Sequence, residues 1–216
     1  MAQRHTKKLL VEGIEDKFAI IHLMAKHIRW GNSRDEWPVL VEVAGSVSEL
    51  LDKDFLSVQL KASDSETLGI VLDANDSLDG RWRRTRTECT SIFPGMPQGF
   101  PAEGLIVANA GGQRFGVWIM PDNLSVGMLE TFLAQLVPDR ETNPLWQHAC
   151  TAAEEAKSKG APFKDVHLHK AQIHSWLAWQ NPPGQQLHIA IISRCLDGAS
   201  PCAAPFVAWF KKLYNL

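Results

Sequence analysis

With 45% apolar and 21% charged residues, this chain of 216 residues has the make-up of an ordinary globular protein, one domain with an elaboration or two small ones. A formal net charge of −2 excludes a global electrostatic pull towards nucleic acid, so any such binding must come from a local patch. No apolar run reaches the length of a membrane span, "MAQRHTKK" lacks an apolar leader core, and Cys89, Cys150, Cys195 and Cys202 form neither a CxxC pair nor a zinc spacing. The expectation is a soluble cytoplasmic protein with no membrane partner, its thiols reduced, buried and inert.

"KKLLVEG" (7–13) predicts a short strand ending at Gly13, and Phe18, Ile21, Ala25 and Ile28 at helical spacing predict a helix over 15–29. "WPVLVEVAG" (37–45) is a second strand. Ser46 to Glu49 after it has the form of a capping box, with Val47, Leu50, Leu51, Phe55 and Val58 continuing a helical stripe. "LGIVLDA" (68–74), apolar throughout, reads as a strand buried on both faces. In "SLDGRWRRTRTECTSI" (77–92), Trp82, Thr85, Cys89 and Ile92 share a helical face, and the proline- and glycine-rich 93–104 is a loop. Residues 105–123 predict two strands joined through Ala110-Gly111-Gly112, and 126–137 a helix.

Beyond Pro138 the strands largely cease. Asn143-Pro144 opens a helix to about Lys159, Phe163–Gln180 forms another and Ala203–Tyr214 a last one; "LHIAIIS" (187–193) reads equally as a short strand or a buried segment. The fold class expected is α/β, a Rossmann-like, mainly parallel sheet flanked by helices, with a hairpin, over residues 1–140. Residues 141–216 are expected as a helical C-terminal extension packed on it.

The chemistry gathers at predicted strand ends. Glu12 follows the first strand, Asp73, Asn75, Asp76 and Ser77 follow the third, and Asp122 follows the hairpin. In a parallel sheet these ends share one edge, where α/β proteins place their ligands. Asp16, four residues after Glu12, and Glu130, in the first turns of the next helix, stand close enough to join them. Carboxylates brought together raise one another's pKa values unless a cation lies between them, and hard oxygen donors suit Mg²⁺ or Mn²⁺. Against this, Asp76, Asp79 and Asp122 are each also natural turn or helix caps.

These motifs carry a resemblance. "LLVEGIEDK" looks like the opening motif of the Toprim domain, in which a glutamate ends the first strand and a glycine permits the turn, and "IVLDANDS" stands where such domains carry Asp-x-Asp. The spacing is also similar to the nuclease branch of the overcoming-lysogenization-defect (OLD) type, with Glu12 and Asp16 matching its first motif and Asp73, Asn75 and Ser77 its second, Asn75 being the departure. "MPDNLSVGMLE" resembles a group of small uncharacterised prokaryotic Toprim-like proteins. The resemblance spans about residues 7–137. It implies a Toprim fold and Mg²⁺- or Mn²⁺-assisted phosphodiester chemistry. Glu12 would be metal ligand or general acid/base, Asp73 the principal ligand, and Asp16, Asn75, Asp76 and Glu130 would complete one or two ion sites. Ser77 and Asp122 would be further metal or phosphate contacts.

Arg81, Arg83 and Arg84 in "RWRRTR" follow the acidic loop and suit phosphate through their paired donors, although a solvated helix face reads as well. Lys170 falls at the spacing of Phe163, Val166, Ile173 and Leu177. It is either a catalytic lysine, such as OLD-type nucleases use, or one that snorkels to the surface. His167, His169 and His174 do not share a helix face, so a histidine metal site is not expected. Trp146, Trp176, Trp179 and Trp209 are expected mainly as packing residues.

The leading expectation is a divalent-metal-dependent nuclease or related phosphoryl-transfer enzyme acting on DNA or RNA, with a role in phage or plasmid defence by family analogy alone. The rival is a catalytically degenerate Toprim-like module binding nucleic acid or a partner protein. A receiver-like phosphoacceptor using Asp73 is weakened because the first strand ends in Glu-Gly rather than an acidic pair.

Overall fold

The computed structural model describes residues 5–61 and 66–216; the first four residues of "MAQRHTKK" lie outside the described residues. Strands β1 (Lys7–Val11), β2 (Leu40–Val43), β3 (Thr67–Asp73), β4 (Leu105–Ala108) and β5 (Arg114–Met120) form one sheet in the order β2-β1-β3-β5-β4. β1 pairs in parallel with β2 and β3, and β3 with β5; only β4 runs antiparallel, as the hairpin partner of β5. The fold is α/β and Rossmann-like.

The strands read as unbroken apolar runs because both faces are covered, and the two faces separate by the two-residue period. Leu9, Val11, Val71, Trp118 and Met120 enter one core; Leu10, Ile70, Leu72, Val117 and Ile119 enter the other. The first core takes in helices α1 (Ile14–Met24) and α5 (Leu129–Ala134). It also includes residues of α6 (Pro144–Ser158), α7 (Leu168–Leu177), α8 (Leu187–Ile192) and α9 (Ala204–Tyr214). The second takes in α2 (Val47–Leu50), α3 (Lys53–Lys61) and α4 (Leu78–Cys89).

α9 lies directly on the sheet. Gly69 and Gly116 face each other across β3 and β5, and a Cβ at Gly116 would come within 2.4 Å of Leu213. Tyr214 is fully buried and its hydroxyl donates to the Lys8 carbonyl at 2.6 Å.

Local chemistry explains where the elements depart from the sequence pattern. The single stripe expected from Val47 to Val58 breaks into α2 and α3, because Asp52 accepts from Phe55 N at 2.7 Å and starts a new helix; Val58 is exposed. α1 stops at Met24 rather than Arg29, and α5 is confined to Leu129–Ala134 within the expected 126–137. The helix expected over 163–180 begins only at Leu168, after a 3-10 turn over Asp165–His167. "LHIAIIS" is the helix α8, not a strand, packed against α1. The Ser46 capping box and the Asn143 cap, with Pro144 in the first turn, form as expected. Of the thiols, all unpaired, only Cys89, on the core-facing side of α4, is buried; Cys150 and Cys195 are partly exposed and Cys202 is exposed, so the expectation of four buried cysteines holds for Cys89 alone. Among the described residues no helix is long and apolar enough to cross a membrane.

Candidate functional site

The strand order places a switch point between β1 and β3. The chain leaves β1 for β2 on one side and returns past β1 to β3 on the other, opening a crevice at their carboxyl ends. Glu12 and Asp73 stand on its two lips.

Asp73 is at the centre. Its backbone N–H donates to Glu12 Oε1 at 3.2 Å, and its own Oδ1 accepts from the backbone N–H of Leu129 at 2.9 Å, which ties β1, β3 and the start of α5 together. Asp16 turns back in the first turn of α1, and its Oδ2 accepts from Gly13 N at 3.1 Å. Gly13, where the motif has a glycine permitting the turn, has an ordinary extended backbone (φ −129°). It leaves room: a Cβ there would stand 3.0 Å from the Asp16 carboxylate. Glu130, buried on α5, accepts from Lys170 Nζ of α7 at 2.6 Å. Each of these carboxylates thus places one oxygen on a protein donor.

The cluster is electrostatically loaded. Burial, followed by the charges of Asp16, Glu12 and Glu130, pushes Asp73 from its ordinary 3.8 up to about 8. Burial and Glu12 raise Asp16 to about 6. Glu12 is also raised, by burial, against the opposing pull of its hydrogen bond to Asp73 N and of Arg81. Burial opposes the charge on Lys170, but its bond to Glu130 and the charges of Glu130, Asp73 and Asp16 outweigh this and hold the ammonium protonated. Two cations, Lys170 and Arg81, against four carboxylates leave an excess of negative charge. Among the described residues no three His, Cys, Asp or Glu side chains are already gathered as a ready cage for an ion. The donor chemistry nevertheless suits a hard divalent cation, because every donor is a carboxylate oxygen and Lys170 and Arg81 offset their mutual repulsion only in part.

The remaining expected residues divide. Arg81 donates through Nε to the Asp73 carbonyl at 2.6 Å and so stands beside the cluster. Arg83 turns back on its own helix towards Asp79 O, and Arg84 reaches Ser48 at 3.0 Å, so the three arginines do not form one patch. Ser77 caps α4, accepting from Gly80 N at 3.0 Å. Asp122 accepts from Leu124 N, Ser125 N and the Ser125 hydroxyl at 2.7–3.0 Å, which is turn chemistry within its own loop. Asp76 is exposed and is not among the charges that act on Asp73. Lys170 is half-exposed, yet its tip is fixed by Glu130 rather than released to solvent.

Asn75 has a backbone reason for its identity. It adopts the left-handed region (φ 54°) and exchanges two backbone hydrogen bonds with Gly127, at 2.7 and 2.9 Å. Asparagine and glycine tolerate that conformation; a residue with an ordinary side chain costs about 1–2 kcal/mol there. Asn75→Ala is therefore expected to lower stability by about 1 kcal/mol while Asn75→Gly changes it by a few tenths, read from urea midpoints. Equal midpoints for Ala and Gly would contradict this account.

Sequence reasoning missed the Leu129 N–H, which any residue type supplies, and the contact between Thr131 Oγ1 and His169 Nδ1 at 3.1 Å. The adjacency of His169 to Lys170 was the available signal. His174, lowered by burial, also lies within range of the charges of Glu130, Lys170 and Glu15.

No curated protein and no solved structure matches the chain. A family model described as "Protein of unknown function (DUF3226)" matches residues 6–215, nearly the whole length. The chain belongs to the DUF3226 family.

Proposed function

We propose that this protein is a Toprim-like, divalent-metal-dependent phosphoryl-transfer enzyme, most simply a nuclease. The observation that carries the reading is the carboxylate cluster at the β1/β3 switch point, with Asp73 pushed up to about 8 by burial and by Asp16, Glu12 and Glu130. A fold maintains such repulsion where a cation or a proton transfer uses it. Glu12, Asp16, Asp73 and Glu130 would hold Mg²⁺ or Mn²⁺. A bound ion supplies Lewis acidity at a phosphoryl oxygen. Glu12, raised in pKa and hydrogen-bonded to Asp73 N, is placed to take a proton from an attacking water. Lys170 keeps Glu130 oriented, and Arg81, its Nε on the Asp73 carbonyl, leaves its guanidinium tip to a phosphate. The Toprim and OLD-type likeness of "LLVEGIEDK" and "IVLDANDS" supports the same chemistry. Asn75 does not by itself mark a degenerate site, since its left-handed backbone favours that residue.

The test is cleavage of plasmid and single-stranded substrates with Mn²⁺. The parent is expected to cut, and Glu12→Gln to lose about 10²–10⁴-fold in rate, the usual worth of a general base. Cation binding without cleavage would leave the rival reading, a non-catalytic module. Cleavage unaltered in Glu12→Gln would remove Glu12 from the chemistry.

A further inference from the structure

Beside the carboxylate cluster lies a cavity of about 340 Å³ that the chemistry above does not use. Val126, Val166, Leu168 and His169 supply its apolar lining, and Asn75, Asp76 and Asp165 its polar lining. We infer that this cavity is a subsite for one unpaired nucleobase of a single-stranded nucleic acid whose neighbouring phosphate lies on the carboxylate cluster. The inference rests on the phosphoryl-transfer reading and names its substrate class.

Position comes first. Cavity and cluster are built from the same three segments. Asn75 follows Asp73 by two residues and is bridged to Gly127; Leu129 binds Asp73; His169 and Lys170, adjacent on α7, bind Thr131 and Glu130. A ligand seated in the cavity therefore sits one step from the carboxylates.

The lining selects the part of the ligand. No lysine or arginine lines the cavity among the described residues, and Asp76 and Asp165 both do. Asp165 is paired with Lys157 at 3.0 Å and Asp76 has no cation in the lining, so a phosphate finds no partner there, whereas a base is the uncharged part of a nucleotide. The volume is at the low end of the range for small-ligand pockets, which suits a base and rules out a folded element. His169 offers a flat ring, kept neutral because burial lowers its pKa, against which a base stacks without charge. The Asn75 amide both donates and accepts, and the Asp76 carboxylate accepts from an exocyclic amine, so the polar side matches a hydrogen-bonding base edge. Val126, in the lining, remains 55% exposed, so the cavity is open to a ligand on an apolar side. A paired base stays stacked inside its duplex and presents no such edge, so the ligand is single-stranded or flipped.

The experiment compares binding of a labelled oligodeoxyadenylate with an abasic deoxyribose-phosphate oligomer of the same length. The parent is expected to bind the adenylate at least about tenfold tighter, the worth of one stacked base. Val166→Trp, which fills the cavity, and Val126→Asp, at an exposed position that spares the core, should both abolish that preference. Equal binding of the two oligomers by the parent, binding of neither, or a preference that survives in both variants would overturn the subsite. Mn²⁺-dependent cleavage with no base preference removes the subsite and leaves the phosphoryl-transfer reading. Base preference without cleavage by the parent does the reverse.

Discussion

Asp73→Asn is expected to raise the stability of the metal-free protein and to abolish its response to divalent cations. The sign follows from proton binding. Asp73 moves from 3.8 to about 8, and Asp16 from 3.8 to about 6, on folding, so the folded chain holds these protons more tightly than the unfolded one. Their cost is absent below the ordinary carboxylate range. It grows as pH rises, until Asp16 is ionised above about 6 and Asp73 above about 8. Without metal, the parent should therefore lose stability between about pH 4 and pH 8.

Each unit of pKa corresponds to about 1.4 kcal/mol, so even with generous relaxation Asp73→Asn should gain on the order of 2 kcal/mol at pH 8. Mg²⁺ or Mn²⁺ should reverse the parent's loss. At a hundredfold over its Kd the ion adds about 2.7 kcal/mol, and its effect should grow with pH as it displaces protons. Melting temperatures of parent and Asp73→Asn across pH, with EDTA and with millimolar Mn²⁺, provide the measurement. A parent whose metal-free stability is flat from pH 5 to 8 would contradict the loaded cluster. A Mn²⁺ shift that persists undiminished in Asp73→Asn would place the ion elsewhere.

Gly69→Val should unseat α9 and destabilise the whole chain. A Cβ at Gly69 would lie 2.3 Å from the Tyr214 hydroxyl, 2.9 Å from Leu9 and 3.0 Å from Leu213. All three neighbours are fully buried, so none has room to withdraw. Overpacking of this kind costs about 1–3 kcal/mol, and the two further methyl carbons of valine push towards the upper end. For a chain of this size that is a fall of roughly 5–10 °C in melting temperature. Tyr214→Phe, which loses only the bond to the Lys8 carbonyl, should cost about 1 kcal/mol. A melting temperature unchanged in Gly69→Val would mean that α9 is a detachable addition. A single cooperative transition shifted downwards would mean that sheet and C-terminal helices unfold as one unit.

Much of the architecture was legible in one dimension. Apolar runs such as "LGIVLD" announce a strand covered on both faces, and Ser46 and Asn143 announce helix starts, because capping and burial act within a few residues. The convergence of Glu12, Asp16, Asp73 and Glu130 was readable too, since parallel strands bring their carboxyl ends to one edge whatever their order. Short apolar stretches were not readable in the same way. "LHIAIIS" carries no period that separates helix from strand, and its helical state comes from packing on α1.

Only the tertiary structure decided which polar residues work together. The order β2-β1-β3-β5-β4 makes the β1/β3 crevice, and strand order is a property of long-range pairing that local residue types do not encode. Asp122 looks in the sequence like a fifth member of the cluster, but its hydrogen bonds close on its own loop. Arg81, Arg83 and Arg84 look alike, yet only one bonds the Asp73 carbonyl, because a helix points successive residues in different directions. Lys170 was ambiguous until α5 brought Glu130 to 2.6 Å from it, across 40 residues of chain. Side-chain type can be read directly from the sequence, but partnership depends on how distant segments pack, and in this protein packing separates the carboxylates at the crevice from those that only cap turns.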